Sequence, residues 1–489
     1  MATYFSEHFK AKRGLLKRYG TLDISLVTDL PLFIDPFLLF NSKKAKYREL
    51  HEEIIRYLTF LRDRAADESL DQGLVKAWFR FPEVKQTWLG FTKTGNRGSG
   101  LGNDFAKALH ENLHRVFSSF GKEKITRGSH LEKLCLIKGG VGRDNISDFT
   151  TNLIKGLLCE YSEEFARRHL GADKRRIVSV PRVRFNYESE SWEAQSFELP
   201  WADGDYVLLT PKDILTRDDT WINKTDLVED FERLPAAMPN DALRAQVDNY
   251  FRKVLGHRRN REPTRREWEE AVRRTLLEWP ELIDVYIRDK EDRGDQARSV
   301  SSEKVEYSRK LYVDQFRGLQ ESLARETEFY ALVGDTYEEA KSRVAFLKDV
   351  IEKKGGHRFF YVDGRPLERE EDVHIMYRLT WFGTPSDLSR EVNDGRGPAD
   401  FKVSRGAVDK TIVEFKLAKN TQLRRNLAKQ VEIYKQASDA KRAIKVIVYF
   451  SLGELSRVEK ILKDLRLTGH RDIVLIDARK DNKPAGSKA

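Results

Sequence analysis

The 489-residue chain reads as a multidomain α/β protein. A mixed α/β region spans residues 1–225, a charged helical connector spans 226–355, and an α/β sandwich around a small mixed sheet spans 356–489. Three observations predict this organisation. The length exceeds the roughly 100–200 residues of one domain. From about 223 to 354 the pattern is helical and dense in charge. After Gly355-Gly356, helix-like and strand-like segments alternate cleanly.

In the first region Ile54, Ile55, Leu58 and Leu61 recur at helical spacing, which predicts a helix over 54–64. Further helices are expected at 105–120 and 149–166, and strands at 178–186 and 205–210. In the middle region, 257–274 is rich in Arg, and 288–302 reads as a solvated loop. Past the glycine pair the expected order is a helix at 369–380 and strands at 388–392, 399–403 and 411–417. A helix at 422–438, a strand at 444–450, a helix at 455–465 and a strand at 473–476 complete it. This order folds as helices packed on both faces of a mixed sheet. The last ten residues read as a loose tail.

Composition excludes several classes. Two cysteines, Cys135 and Cys159, cannot build a disulfide scaffold or a multi-thiolate zinc site. No apolar run approaches the ~20 residues of a membrane span. The opening MATYFSEHFKAKR lacks the apolar core of a secretory signal, so a soluble, cytoplasmic protein without a membrane partner is expected. Lys and Arg number 88 against 78 Asp and Glu, a net charge of +10. Residues 356–489 hold 27 Lys and Arg against 19 Asp and Glu, so +8 of that excess lies in the last 134 residues. Arg424, Arg425, Lys429, Lys435, Lys441, Arg442 and Lys445 gather on and after the 422–438 helix, where they can meet phosphates. A solvated helix face is the plainer account of such a run.

The most informative stretch is 391–434. Alternate residues of a strand share a face. Glu414 and Lys416 therefore point one way, with Val413, Phe415 and Leu417 toward the core. A three-residue turn of Gly406, Ala407 and Val408 pairs Arg405 with Asp409 and Val403 with Thr411, and sets Asp400 opposite Glu414. Directly opposed Cβ atoms lie ~5 Å apart. Two carboxylates at that distance repel unless a cation joins them. With Lys416 alongside, the set suits Mg²⁺ or Mn²⁺. Taken alone, an acid ahead of a Glu-x-Lys strand is more often a surface ion pair.

The segments Pro398-Ala399-Asp400 and Glu414-Phe415-Lys416, followed by Gln430 and Tyr434 four residues apart on one helix face, resemble the PD-(D/E)xK nuclease superfamily in its RecB-like Q-x-x-x-Y branch. The resemblance covers about 356–489. It departs at Ala399, where the family pattern implies an acid directly after Pro. It implies a restriction-endonuclease-like fold and a Mg²⁺-dependent (or Mn²⁺-dependent) hydrolase of phosphodiester bonds. Asp400, Glu414 and the Phe415 carbonyl would hold the metal. Lys416 would orient the attacking water and the phosphate, Gln430 would contact the nucleic acid or orient the lysine, and Tyr434 would brace the helix. Glu370, Glu371 or Glu391 would add a further acid. The whole chain resembles bacterial anti-phage defence nucleases, in which the N-terminal region senses or regulates. DNA is the expected substrate. The alternatives are a catalytically inactive nucleic-acid-binding or scaffold protein with the same fold, or an RNase effector. A homo-oligomer and a defence-system partner protein stay open.

The first 355 residues carry weaker signals. The glycine-rich 95–102 lacks the Lys of a phosphate-binding loop, since Leu101 follows Gly100, and reads as a plain loop. His110 and His114 have the i, i+4 spacing of zinc ligands, yet no third ligand suggests itself. Asp148 or Ser147 is read as the cap of the helix after it; a second metal site at Asp144 and Asp148 stays open but has no Glu-x-Lys strand to complete it.

Overall fold

The computed structural model describes residues 3–65, 71–90, 121, 123–137, 143–238, 241–256, 263–326, 335–381, 387–389, 401–405, 409–428 and 442–483. The first region is mixed α/β, as its pattern predicts. Helix α1 (Ala45–Ala65) buries Ile54, Ile55, Leu58 and Leu61 on one stripe. The helix expected at 149–166 is two helices, α2 (Arg143–Leu153) and α3 (Lys155–His169), with Ile154 between them as the N-cap of α3. Ser147 and Asp148, expected as the cap of that helix, therefore lie inside α2: the Ser147 hydroxyl accepts from the Ile34 amide and its carbonyl from the Thr151 hydroxyl.

A long antiparallel hairpin follows, β1 (Arg175–Asn186) and β2 (Ser191–Ala202), and α3 packs against it. The pattern missed β2 because its first half is exposed and shows no apolar alternation. The strand expected at 205–210 is only Asp205–Tyr206. The helix expected at 105–120, with His110 and His114, lies outside the described residues, as do the glycine-rich 95–102 and the Arg-rich start at 257–262.

The middle region is helical: α4 (Asp241–Leu255), α5 (Arg265–Glu278), α6 (Glu281–Asp292), α7 (Gly294–Ser308), a π-helical stretch at Arg309–Gln315, and α8 (Phe316–Glu326). The loop expected at 288–302 is instead the end of α6 and the first half of α7. Small residues misled the pattern. Ala297, Ser301 and Val305 form the buried stripe of α7, and Gly294 sits where an added Cβ would meet Asn41 Oδ1 at 2.4 Å. Glycine and small side chains that look like loop composition here allow close helix packing.

The C-terminal unit is an α/β sandwich. Helix α9 (Thr336–Lys353), which precedes the glycine pair, packs on the sheet with α10 (Glu370–Trp381). The strands are β3 (Asp387–Ser389), β4 (Phe401–Arg405), β5 (Asp409–Leu417), β6 (Arg442–Tyr449) and β7 (Ile473–Asp477), in the order β7-β6-β5-β4-β3. The β3–β4–β5 ladder is antiparallel, and β5–β6–β7 is parallel. Val403 and Phe401 pair with Thr411 and Val413, the register expected from a three-residue turn. Val413, Phe415, Phe401 and Tyr377 join the main core on the α9–α10 face. Ile447, Leu423, Leu427 and residues of α11 (Leu452–Asp464) form a second core on the other face. A sheet with helices on both faces needs apolar residues at successive positions of its central strands. In β6 Ile444, Val446, Ile447 and Val448 supply them.

The described first residues of the expected tail, 480–483, are tied to the C-terminal unit. Lys480 Nζ donates to the Gly364 carbonyl at 3.2 Å, and Asn482 Nδ2 donates to Asp477 at 2.8 Å. Among the described residues no helix is long and apolar enough to cross a membrane.

Candidate active site

The Glu-x-Lys strand β5 runs through the middle of the sheet, and its alternation places two polar side chains on the face opposite the main core. Glu414 is buried there, 3% exposed at its side chain, and Lys416 is 13% exposed. Lys416 Nζ lies 3.3 Å from Glu414 Oε1. It also lies 3.3 Å from Glu370 Oε2. Glu370 opens α10, the helix from which a further acid is expected. Its Oε1 accepts from Asn420 Nδ2 at 2.6 Å and from the Leu417 amide at 3.2 Å.

Those contacts have a local cause. The last described pair of the β4–β5 ladder is Val413 with Phe401. Further along β5 the backbone groups are met by α10. His374 Nε2 lies 3.2 Å from the Phe415 carbonyl, which accepts its hydrogen, and Glu370 takes the Leu417 amide. Side chains of α10 thus hydrogen-bond to the β5 backbone, a way in which buried backbone groups are satisfied. The Phe415 carbonyl, expected as a metal ligand, already serves His374, a buried residue that motif reading missed. One lone pair of that oxygen is thereby used.

Lys445 was also missed. The sequence grouped it with surface cations, but it is buried on β6 as the register partner of Glu414. Its Nζ donates to the Asn426 carbonyl at 3.3 Å. Burial pushes its ammonium below the ordinary lysine range; Glu414 opposes that shift and Lys416 adds to it. Lys445 was legible only as part of a charge run, because its partner strand is distant in sequence.

Of the other predicted residues, Arg424 is exposed and paired to Asp464 at 2.8 Å, and Arg425 is exposed on the same short helix at 423–428. Arg442 lies 3.7 Å from Asp335 and 4.6 Å over the Tyr337 ring. Asp400, Glu391, Gln430, Tyr434, Lys429, Lys435 and Lys441, and the side chain of Glu371, which the sequence also nominates, lie outside the described residues. Among the described residues no three His, Cys, Asp or Glu side chains converge to hold a metal. Glu414 and Glu370 supply hard oxygen donors with an ammonium between them, a donor set suited to Mg²⁺ or Mn²⁺ rather than to a soft metal.

Residues 11–223 match a family model described as a domain of unknown function (DUF8370), and residues 336–452 match one described as a domain of unknown function (DUF8371). The second begins where α9 begins. No curated protein and no solved structure matches the chain.

Proposed function

We propose that the C-terminal unit is a metal-dependent nuclease that hydrolyses phosphodiester bonds in DNA. The observation that carries this reading is the convergence of Glu414 and Glu370 on the Lys416 ammonium. It is supported by the described hairpin register, Val403 with Thr411 and Phe401 with Val413, which is the register the sequence-based expectation of Asp400 opposite Glu414 starts from. Asp400 and Glu414 would hold Mg²⁺ or Mn²⁺. The bound ion would supply an activated water and neutralise charge on the phosphate. Lys416 can then hold the attacking water or a phosphate oxygen, and Glu370 fixes the lysine from its other side. His374 holds the strand backbone between the two motif residues. Arg424 and Arg425 would meet the DNA backbone. A role in prokaryotic antiviral defence, with the N-terminal region as sensor or regulator, rests on architecture alone.

Nicking of supercoiled plasmid tests this. The full chain should nick in Mg²⁺ or Mn²⁺ and stop when EDTA is added. Glu414→Gln, Lys416→Met and Asp400→Ala should each lose about 100-fold or more of the rate, the scale expected for groups acting on the transition state. Fluorescent RNA run in parallel identifies an RNase. Equal inertness of wild type and Asp400→Ala on both substrates, with all proteins folded by circular dichroism, overturns the enzyme reading. Two contacts favour a second, non-catalytic reading: Lys416 is ion-paired to both Glu414 and Glu370, as in a structural ion-pair cluster.

A further inference from the structure

Between the helical middle and the C-terminal unit lies a cleft of about 790 Å³, inside the ~300–1,000 Å³ range of small-molecule sites. Residues of α7 wall one side; the Tyr361–Val362 and Arg365–Pro366 strand pair and the start of α10 wall the other. Arg217 lines it with a side chain only 6% exposed. Its Nη2 donates to Asp372 Oδ1 at 2.5 Å, and its guanidinium lies 4.7 Å from the Tyr307 ring. Its Nη1 is buried with no hydrogen-bond partner among the described residues. A buried charged donor left without an acceptor is costly, and a ligand oxygen would relieve it. Lys304 and Arg365 line the same cleft, and the side chain of neither is hydrogen-bonded or ion-paired among the described residues.

The rest of the lining narrows the ligand. Six carboxylates also face the cleft, among them the exposed Glu303 and Glu368. A nucleic-acid strand would meet repulsion from them. A bare inorganic anion would leave them and Tyr307 unused. One phosphate held by Arg217, Lys304 and Arg365, with sugar hydroxyls and base amino groups donating to carboxylates and a ring beside Tyr307, uses every class of lining group. We propose that this cleft binds a nucleoside monophosphate.

Isothermal titration of the full chain with AMP, GMP, CMP and UMP, and with inorganic phosphate in parallel, tests the proposal. At least one nucleotide should bind one per chain with a Kd below about 1 mM. The Lys304→Ala/Arg365→Ala double variant should weaken that binding by about tenfold or more. Its thermal midpoint without nucleotide should stay near the wild-type value, because among the described residues neither side chain makes a hydrogen bond or ion pair, and Lys304 acts on Asp35 and Asp219 only through its charge. The proposal is overturned by no binding of any of the four, by undiminished binding in the double variant, or by phosphate binding as tightly as the nucleotides. None of these readouts needs nuclease activity, so this site stands or falls separately from the nuclease reading.

Discussion

Glu414 and Lys445 are register partners on adjacent parallel strands, and both are buried. A carboxylate in that position needs neighbouring positive charge, and β6 supplies one that no motif announces. The pairing also has a consequence for pH. The Lys445 pKa is lowered in the fold, chiefly by burial. Between that lowered value and the ordinary lysine value the unfolded chain binds more protons, so stability rises with pH across the window. Urea denaturation at pH 7 and pH 10 should show wild type gaining on Lys445→Met as pH rises. A constant difference between the two proteins would remove the argument.

Asp372 is the buried acceptor for both Arg217 and Tyr312, each at 2.5 Å. It lies on the first turns of α10, two residues after Glu370. Asp372→Ala leaves a buried guanidinium with only the longer pairing of its Nε to Asp218 at 3.5 Å, and a cost of about 3 kcal/mol is expected. Chemical denaturation of the purified variant measures it. A loss below about 1 kcal/mol would mean that water reaches Arg217 and replaces the carboxylate.

Glu132 is fully buried, and its carboxylate oxygens make no hydrogen bond of good geometry among the described residues, the Phe37 and Glu132 backbone amides being the donors of note beside it. Burial, reinforced by the charge of Asp35, pushes its pKa well above the ordinary value. The folded state then holds a proton that the unfolded state releases, so stability falls as pH rises from the ordinary Glu value toward the raised one. Glu132→Met keeps the volume and removes the unsatisfied group, and should stabilise the fold by about 1–3 kcal/mol. The variant should also lose part of the pH slope. Denaturation curves at pH 5 and pH 8 check both, and a destabilised variant would show that Glu132 has a partner in solution.

Arg424 and Arg425 are exposed, and the Arg424–Asp464 pair is of the kind worth about 0–1 kcal/mol. Alanine at both should leave the thermal midpoint nearly unchanged. On the nuclease reading it should weaken DNA binding equally across sequences, and the slope of log K against log salt should shrink by about 1–2. Fluorescence anisotropy at several salt concentrations reads this. An unchanged slope would mean that these side chains stay on solvent.

Residue pattern alone determined a good part of the molecule. The α1 stripe, the alternation of β5 and the register of Val403 with Thr411 follow from helical period, strand period and a short turn, all of which act within a few residues. Tertiary structure decided what local pattern cannot carry. Residues 288–302 are helical because Gly294, Ala297 and Ser301 allow close packing against distant segments, a benefit invisible in the stretch itself. Strand β2 was hidden because exposed positions carry no apolar period. Lys445 and His374 joined the candidate site only when parallel pairing and the docking of α10 brought them to β5. Composition assigned Lys445 to a basic surface; burial beside Glu414 makes it a counter-charge, because proximity in the fold, not in the chain, sets the electrostatics.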